Sequence, residues 1–77
     1  MYAIGRLCFK YRKEVAKLTL KEMSEKTGIN VSTLSAFEVG RSGNMNIFFE
    51  YARMLNKEQR EQFLKELELI INAWKEN

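Results

Sequence analysis

Between Thr19 and Arg41 a capped helix, a glycine, a second capped helix and a second glycine follow one another. This punctuation constrains the fold more than any other feature of the chain. Thr19 stands three residues before Glu22, the spacing of a capping box in which each side chain serves the other residue's backbone N–H. Asn30 offers a side-chain oxygen to the orphan N–H groups of the next helix. Gly28 and Gly40 suit the left-handed residue that ends a helix. Leu20, Met23, Ile29, Leu34 and Phe37 supply a common apolar face, and Ser24 is small where the helices would cross. The pattern predicts helices over 20–27 and 31–39, joined as a helix-turn-helix. The first is too short to persist alone, so its stability must come from its neighbours.

Three further helices are predicted. Ile4, Leu7, Cys8, Tyr11 and Val15 fall at helical spacing, which reads as one continuous helix over about 3–17. Its opposite side carries Arg6, Lys10, Arg12, Lys13, Glu14 and Lys17, and Phe9 lies off the apolar stripe, over a neighbouring helix or at an interface. Leu18 then precedes the Thr19 cap and could staple onto Met23. Asn44 is placed to cap a helix over about 45–55 with Ile47, Phe48, Tyr51, Ala52 and Leu55 inward. Asn56 is placed to cap a last helix over about 57–75. There Phe63, Leu64, Leu67, Ile70, Ile71 and Trp74 make a wide apolar stripe, with Leu69 and Ala73 beside it. Glu58–Gln62 and Glu61–Lys65 are spaced to pair on the other side. The expectation is an all-α domain of five helices, 77 residues being enough for one small core.

Bulk properties narrow the function. Apolar residues make up 45% and charged residues 30%, a globular balance. No apolar run approaches a membrane span and no signal peptide is apparent. With no histidine and a single Cys8, a nitrogen/sulfur metal site and an internal disulfide are both disfavoured, and a reducing cytoplasmic setting is the default. Cys8 itself reads as a small core thiol rather than a reactive one. No cofactor is expected. The chain lacks histidine, aspartate and a phosphate-cradling glycine loop, so an enzyme is the least favoured class. Charge is unevenly placed: residues 1–41 carry eight Lys/Arg against four Glu, residues 42–77 five against six. The half holding the helix-turn-helix is the basic one, which would serve phosphate attraction or simply solubility.

The residues Leu18–Ile29, Ser32-Thr33-Leu34-Ser35-x-Phe37-Glu38-x-Gly40-Arg41 and Ala52-x-x-Leu55 together resemble the Xre and Cro repressors, five-helix lambda-repressor-like DNA-binding domains. The resemblance covers about residues 4–55. It implies that the helix from Asn30 is the recognition helix in the major groove. Val31, Ser32 and Ala36 are then the base-reading candidates, with Thr33 and Ser35 at the margin. Arg41 and the start of the preceding helix, Thr19 and Lys21, would meet the sugar-phosphate backbone. Glu38 and Arg12 match a buried pair that ties the recognition helix to the first helix. Independently, a carboxylate near a helix C-terminus opposes the helix dipole and calls for a cation.

The chain departs from that pattern in three ways. Leu20 stands where the family often has a DNA-bonding glutamine. The linker before Thr19 is one residue longer than the commonest pattern. The recognition face has no Arg, Gln, Lys or Asn beyond its cap, so bidentate readout of guanine or adenine is not available from its centre. Two expectations follow. One is a sequence-specific regulator of double-stranded DNA, a small phage- or plasmid-type repressor working as a homodimer, with Leu67, Ile70, Ile71 and Trp74 of the last helix in the dimer contact. The other is a protein-interaction module, an inhibitor or adaptor that keeps the helix-turn-helix as scaffold.

Overall fold

The structure, a computed structural model, describes residues 2–76. It is all-α, with five helices: α1 (Tyr2–Lys10), α2 (Leu20–Thr27), α3 (Val31–Glu38), α4 (Met45–Arg53) and α5 (Lys57–Glu76). No strand occurs among the described residues. The first helix differs from the continuous α-helix expected over 3–17. After Lys10 it runs without a break into a π-helical turn, Tyr11–Val15. There the Ala16 N–H reaches back to the Tyr11 carbonyl (2.8 Å) and the Leu18 N–H to that of Arg12 (2.9 Å). A π turn holds one residue more than an α turn, and Lys17 closes it with a left-handed φ of 57°.

Capping sets most of the other boundaries. Thr19 Oγ1 accepts from the Glu22 N–H (3.1 Å) while Glu22 accepts from the Thr19 N–H (2.9 Å). Gly28 ends α2 at φ 77°. Past α3 the Gly40 N–H bonds the Phe37 carbonyl and the Arg41 N–H bonds that of Ala36, the paired bonds of a Schellman stop with Gly40 left-handed at φ 84°. Asn44 Oδ1 caps α4 through the Asn46 N–H (2.9 Å). Asn56 and Gln59 exchange bonds of 2.8 and 3.1 Å at the start of α5, a capping box that the sequence reading placed only in half.

The core draws on every helix. Ile4, Leu7, Cys8 and Tyr11 from the first helix, Met23, Leu34 and Phe37 from the helix-turn-helix, Ile47, Phe48, Tyr51 and Leu55 around α4, and Phe63 from α5 are buried together. Phe63 stacks on Phe48 (5.2 Å between ring centroids) and meets Tyr11 edge-on (4.9 Å). α1 crosses α3 closely. Gly5 is buried there, and a Cβ added to it would lie 2.4 Å from the Phe37 carbonyl oxygen. The small residue at the close approach is Gly5, while Ser24 is only half-buried.

Side chains on both flanks fasten α5. Glu66 accepts from Lys10 Nζ (3.2 Å) and from the Tyr11 hydroxyl. Arg60 donates to the carbonyls of Ala52 (3.0 Å) and Leu55 (2.8 Å). The Glu58–Gln62 and Glu61–Lys65 pairs do not form among the described residues; the α5 acid that finds a cation is Glu66, which meets Lys10. Leu67 and Ile70 pack against the core, but Ile71 and Trp74 are exposed, as are Leu64 and Leu69. At 1.5 Å per residue α5 is about 30 Å long, and residues 71–74 near its end are all exposed.

Candidate nucleic-acid interface

The outward surface of α3 is set by what its inward surface must hold. Leu34 and Phe37 are fully buried. At 100° per residue, Ser32 lies opposite that pair, with Ser35 and Ala36 flanking it on either side. Val31 and Ser32 are exposed; Thr33, Ser35 and Ala36 are half-buried. Ser35 stands apart from Ser32 and Ala36, because it lines the cleft between α1 and α3. A helix whose outer face is a serine, an alanine and a first-turn valine lets its backbone approach another surface closely.

Asn30 organises the polar groups at the helix start. Its Oδ1 accepts from the Thr33 N–H (2.9 Å), the Thr33 hydroxyl (2.8 Å) and the Ser32 hydroxyl (2.9 Å). Both hydroxyl protons are thereby turned toward the cap. In these bonds the Ser32 and Thr33 hydroxyls keep lone pairs that can accept from a donor outside; rotated out of them, each can donate instead.

Glu38 fixes the far end of α3. It accepts from Arg12 Nε (2.7 Å) and Nη2 (3.0 Å) as a two-point pair, and from the Tyr51 hydroxyl (2.5 Å). Arg12 spends its remaining arm on the Leu18 carbonyl (2.7 Å), so one guanidinium joins the first helix, the linker and α3. Both charges are buried. Such a pair persists only when every remaining donor and acceptor is met, and no buried side-chain N or O among the described residues lacks a partner. The hydrogen bond from Arg12 to Glu38 holds the guanidinium more firmly protonated than usual. Burial, with a bond to Glu38, pushes the Tyr51 phenol far up, and burial does the same to the Cys8 thiol. Neither group ionises at any physiological pH, and Cys8 is a packed core residue.

The cations lie around this frame. Lys21 and Arg41 are exposed, one at the start of α2 and one just past α3, where the Schellman stop fixes the Arg41 backbone. Thr19 is exposed, with its hydroxyl bound into the capping box. Of the four α5 residues expected in a dimer contact, Leu67 and Ile70 serve the chain's own core and only Ile71 and Trp74 face solvent. Three features are not expected from the sequence: Tyr51 as the third partner of Glu38, Gly5 beneath the end of α3, and the cation cluster on Phe9. Gly5 was detectable as a glycine inside a helical apolar pattern, where it costs about 1 kcal/mol unless packing needs it. No group of side chains suited to a metal ion and no helix long and apolar enough to cross a membrane occurs among the described residues. No family model matches the chain, and no curated protein or solved structure does either.

Proposed function

We propose that the chain binds double-stranded DNA with α3 in the major groove and acts as a small transcriptional repressor in the cytoplasm. The reading is carried by one observation. α3 is locked from behind by the fully bonded Glu38, while its opposite face is a shallow strip of Val31, Ser32 and Ala36, with exposed cations at the start of α2 (Lys21) and just past α3 (Arg41). The resemblance of Leu18–Arg41 to the Xre and Cro repressors supports the same docking. In it Lys21, Arg41 and the Thr19 end of α2 meet phosphates. Val31 and Ala36 touch thymine methyl groups, and the outward lone pairs of Ser32 and Thr33 accept from the exocyclic amino group of adenine or cytosine. These are weak discriminators, so specificity leans on DNA shape and phosphate register.

A module this small makes few phosphate contacts, so useful affinity calls for two copies on a palindromic site. The exposed Ile71 and Trp74, with Leu67 and Ile70 at the core edge behind them, are the surface for that second copy. The same exposed apolar surface on α5 favours the second reading, a protein-interaction module on this scaffold. Titration of random duplex against salt separates the two. DNA binding is expected to fall linearly on a logarithmic plot. Arg41→Ala should weaken binding to all duplexes and reduce the salt slope by about one, whereas Ser32→Ala should shift sequence preference. Absence of measurable binding at low salt refutes the DNA reading.

A further inference from the structure

Two clefts share Phe9, Arg12 and Leu20 and so form one groove along the outer side of the first helix. The part toward α3, about 250 Å³, is bounded by Arg6, Ser35 and Val39. The part toward α2, about 430 Å³, is bounded by Lys13, Lys17 and Thr19. The floor is apolar: Phe9 and Leu20 are half-buried and Val39 is exposed. The rim is cationic. Around the Phe9 ring, Arg6 Cζ lies at 4.9 Å, Arg12 Cζ at 5.4 Å and Lys13 Nζ at 5.5 Å from the centroid. Glu38 neutralises Arg12, but Arg6, Lys13 and Lys17 belong to no ion pair among the described residues. Two acids stand at the groove, both engaged: Glu38 lines the part toward α3 and is bonded to Arg12 and Tyr51, and Glu22 is held at the Thr19 N–H on one lip. Cations gathered over one aromatic ring repel one another, and a negative partner relieves that repulsion while Phe9, Leu20 and Val39 still need cover.

We propose that this groove docks an acidic segment of another protein. Its carboxylates would meet Arg6, Lys13 and Lys17, and one bulky apolar side chain would lie between Phe9 and Leu20. A nucleic-acid backbone satisfies the charge and leaves the apolar floor uncovered, which is why a peptide fits better. Docking needs no DNA. If α3 also reads DNA, a clause that rests on the function proposed above, Thr19 borders both surfaces and the two partners compete there.

The probe is a short labelled peptide of glutamates and aspartates around a central tryptophan, added to the full chain without DNA. Fluorescence anisotropy at low salt should show saturable binding that weakens with salt. Replacing the tryptophan by serine should weaken it by about tenfold or more. Arg6→Glu and Lys13→Glu, both at exposed positions, should each weaken it by about tenfold with an unchanged circular dichroism spectrum. No binding at low salt, equal affinity for the tryptophan and serine peptides, or full affinity in both charge reversals overturns the proposal. So does a loss confined to duplex DNA in those variants, which would make the groove a phosphate surface. Peptide binding without any DNA binding leaves the groove standing and removes only the DNA reading.

Discussion

Gly5→Ala tests the α1–α3 packing because two effects of opposite sign compete in it. In a free helix the change stabilises by about 0.5–1 kcal/mol, since glycine loses more backbone freedom than alanine. In this fold the new Cβ meets three backbone atoms: the Phe37 oxygen at 2.4 Å, the Glu38 oxygen at 2.7 Å and the Glu38 carbonyl carbon at 2.9 Å. Ordinary contact between such atoms begins near 3.4 Å, so the two helices must part by about 1 Å. They cannot do so freely, because the two Arg12–Glu38 bonds tie the first helix to α3. Overpacking of this kind costs about 1–3 kcal/mol, which exceeds the helix-propensity gain. The expected net loss of about 1–2 kcal/mol lowers the melting temperature of a domain this size by about 5–15 °C. Thermal melting followed by far-UV circular dichroism reads it directly. A variant that melts higher than the parent would refute the close crossing and the reasoning built on it.

Three other perturbations have definite signs. Glu38→Gln leaves Arg12 buried without its counter-charge, and a urea titration should show about 3 kcal/mol or more of lost stability, a large share of the roughly 4–11 kcal/mol available to a chain of this length. Lys17→Gly relieves the left-handed φ of 57° and should raise the urea midpoint by the equivalent of about 0.5–1 kcal/mol; a fall would mean that the Lys17 side chain contributes more than its backbone costs. The Tyr11 hydroxyl first, and Lys10 second, hold the Glu66 carboxyl below the usual carboxylate range. Its stabilisation is therefore complete above about pH 4.3 and lost as pH falls through the depressed folded value. Glu66→Gln should remove part of the acid sensitivity of the urea midpoint.

Those parts of the fold governed by local chemistry were readable from the residues. Thr19, Asn30, Asn44 and Asn56 cap where their side chains dictate, and Gly28 and Gly40 stop helices because left-handed backbone is cheap only for glycine. The apolar spacing of Ile4, Leu7, Cys8 and Tyr11 identified the buried side of the first helix. What escaped the reading depends on three-dimensional distance. The π turn at Tyr11–Val15 has no composition of its own; what marks it is the long reach of the Ala16 and Leu18 N–H groups back to Tyr11 and Arg12. Lys10 and Tyr11 meet Glu66 across 55 residues or more, whereas the locally spaced pairs on α5 do not form. On α3 the outward set was legible from periodicity. The turning of the Ser32 and Thr33 protons toward Asn30 was not, because hydroxyl direction is decided by the nearest acceptor.

The widened turn has a consequence for how this chain tolerates changes in length. Everything upstream of it is phased by the α-helical repeat, in which each residue adds a rotation of about 100°. Loss of one residue between Leu7 and Tyr11 would swing Ile4 and Gly5 away from α3 relative to Arg12. The same loss within Lys13–Val15 would convert the π turn to an ordinary one and leave Arg12 aimed at Glu38. That one turn acts as a length buffer, separating the register of the first helix from that of the helix-turn-helix. Single-residue deletions should accordingly be accepted there and rejected one turn earlier.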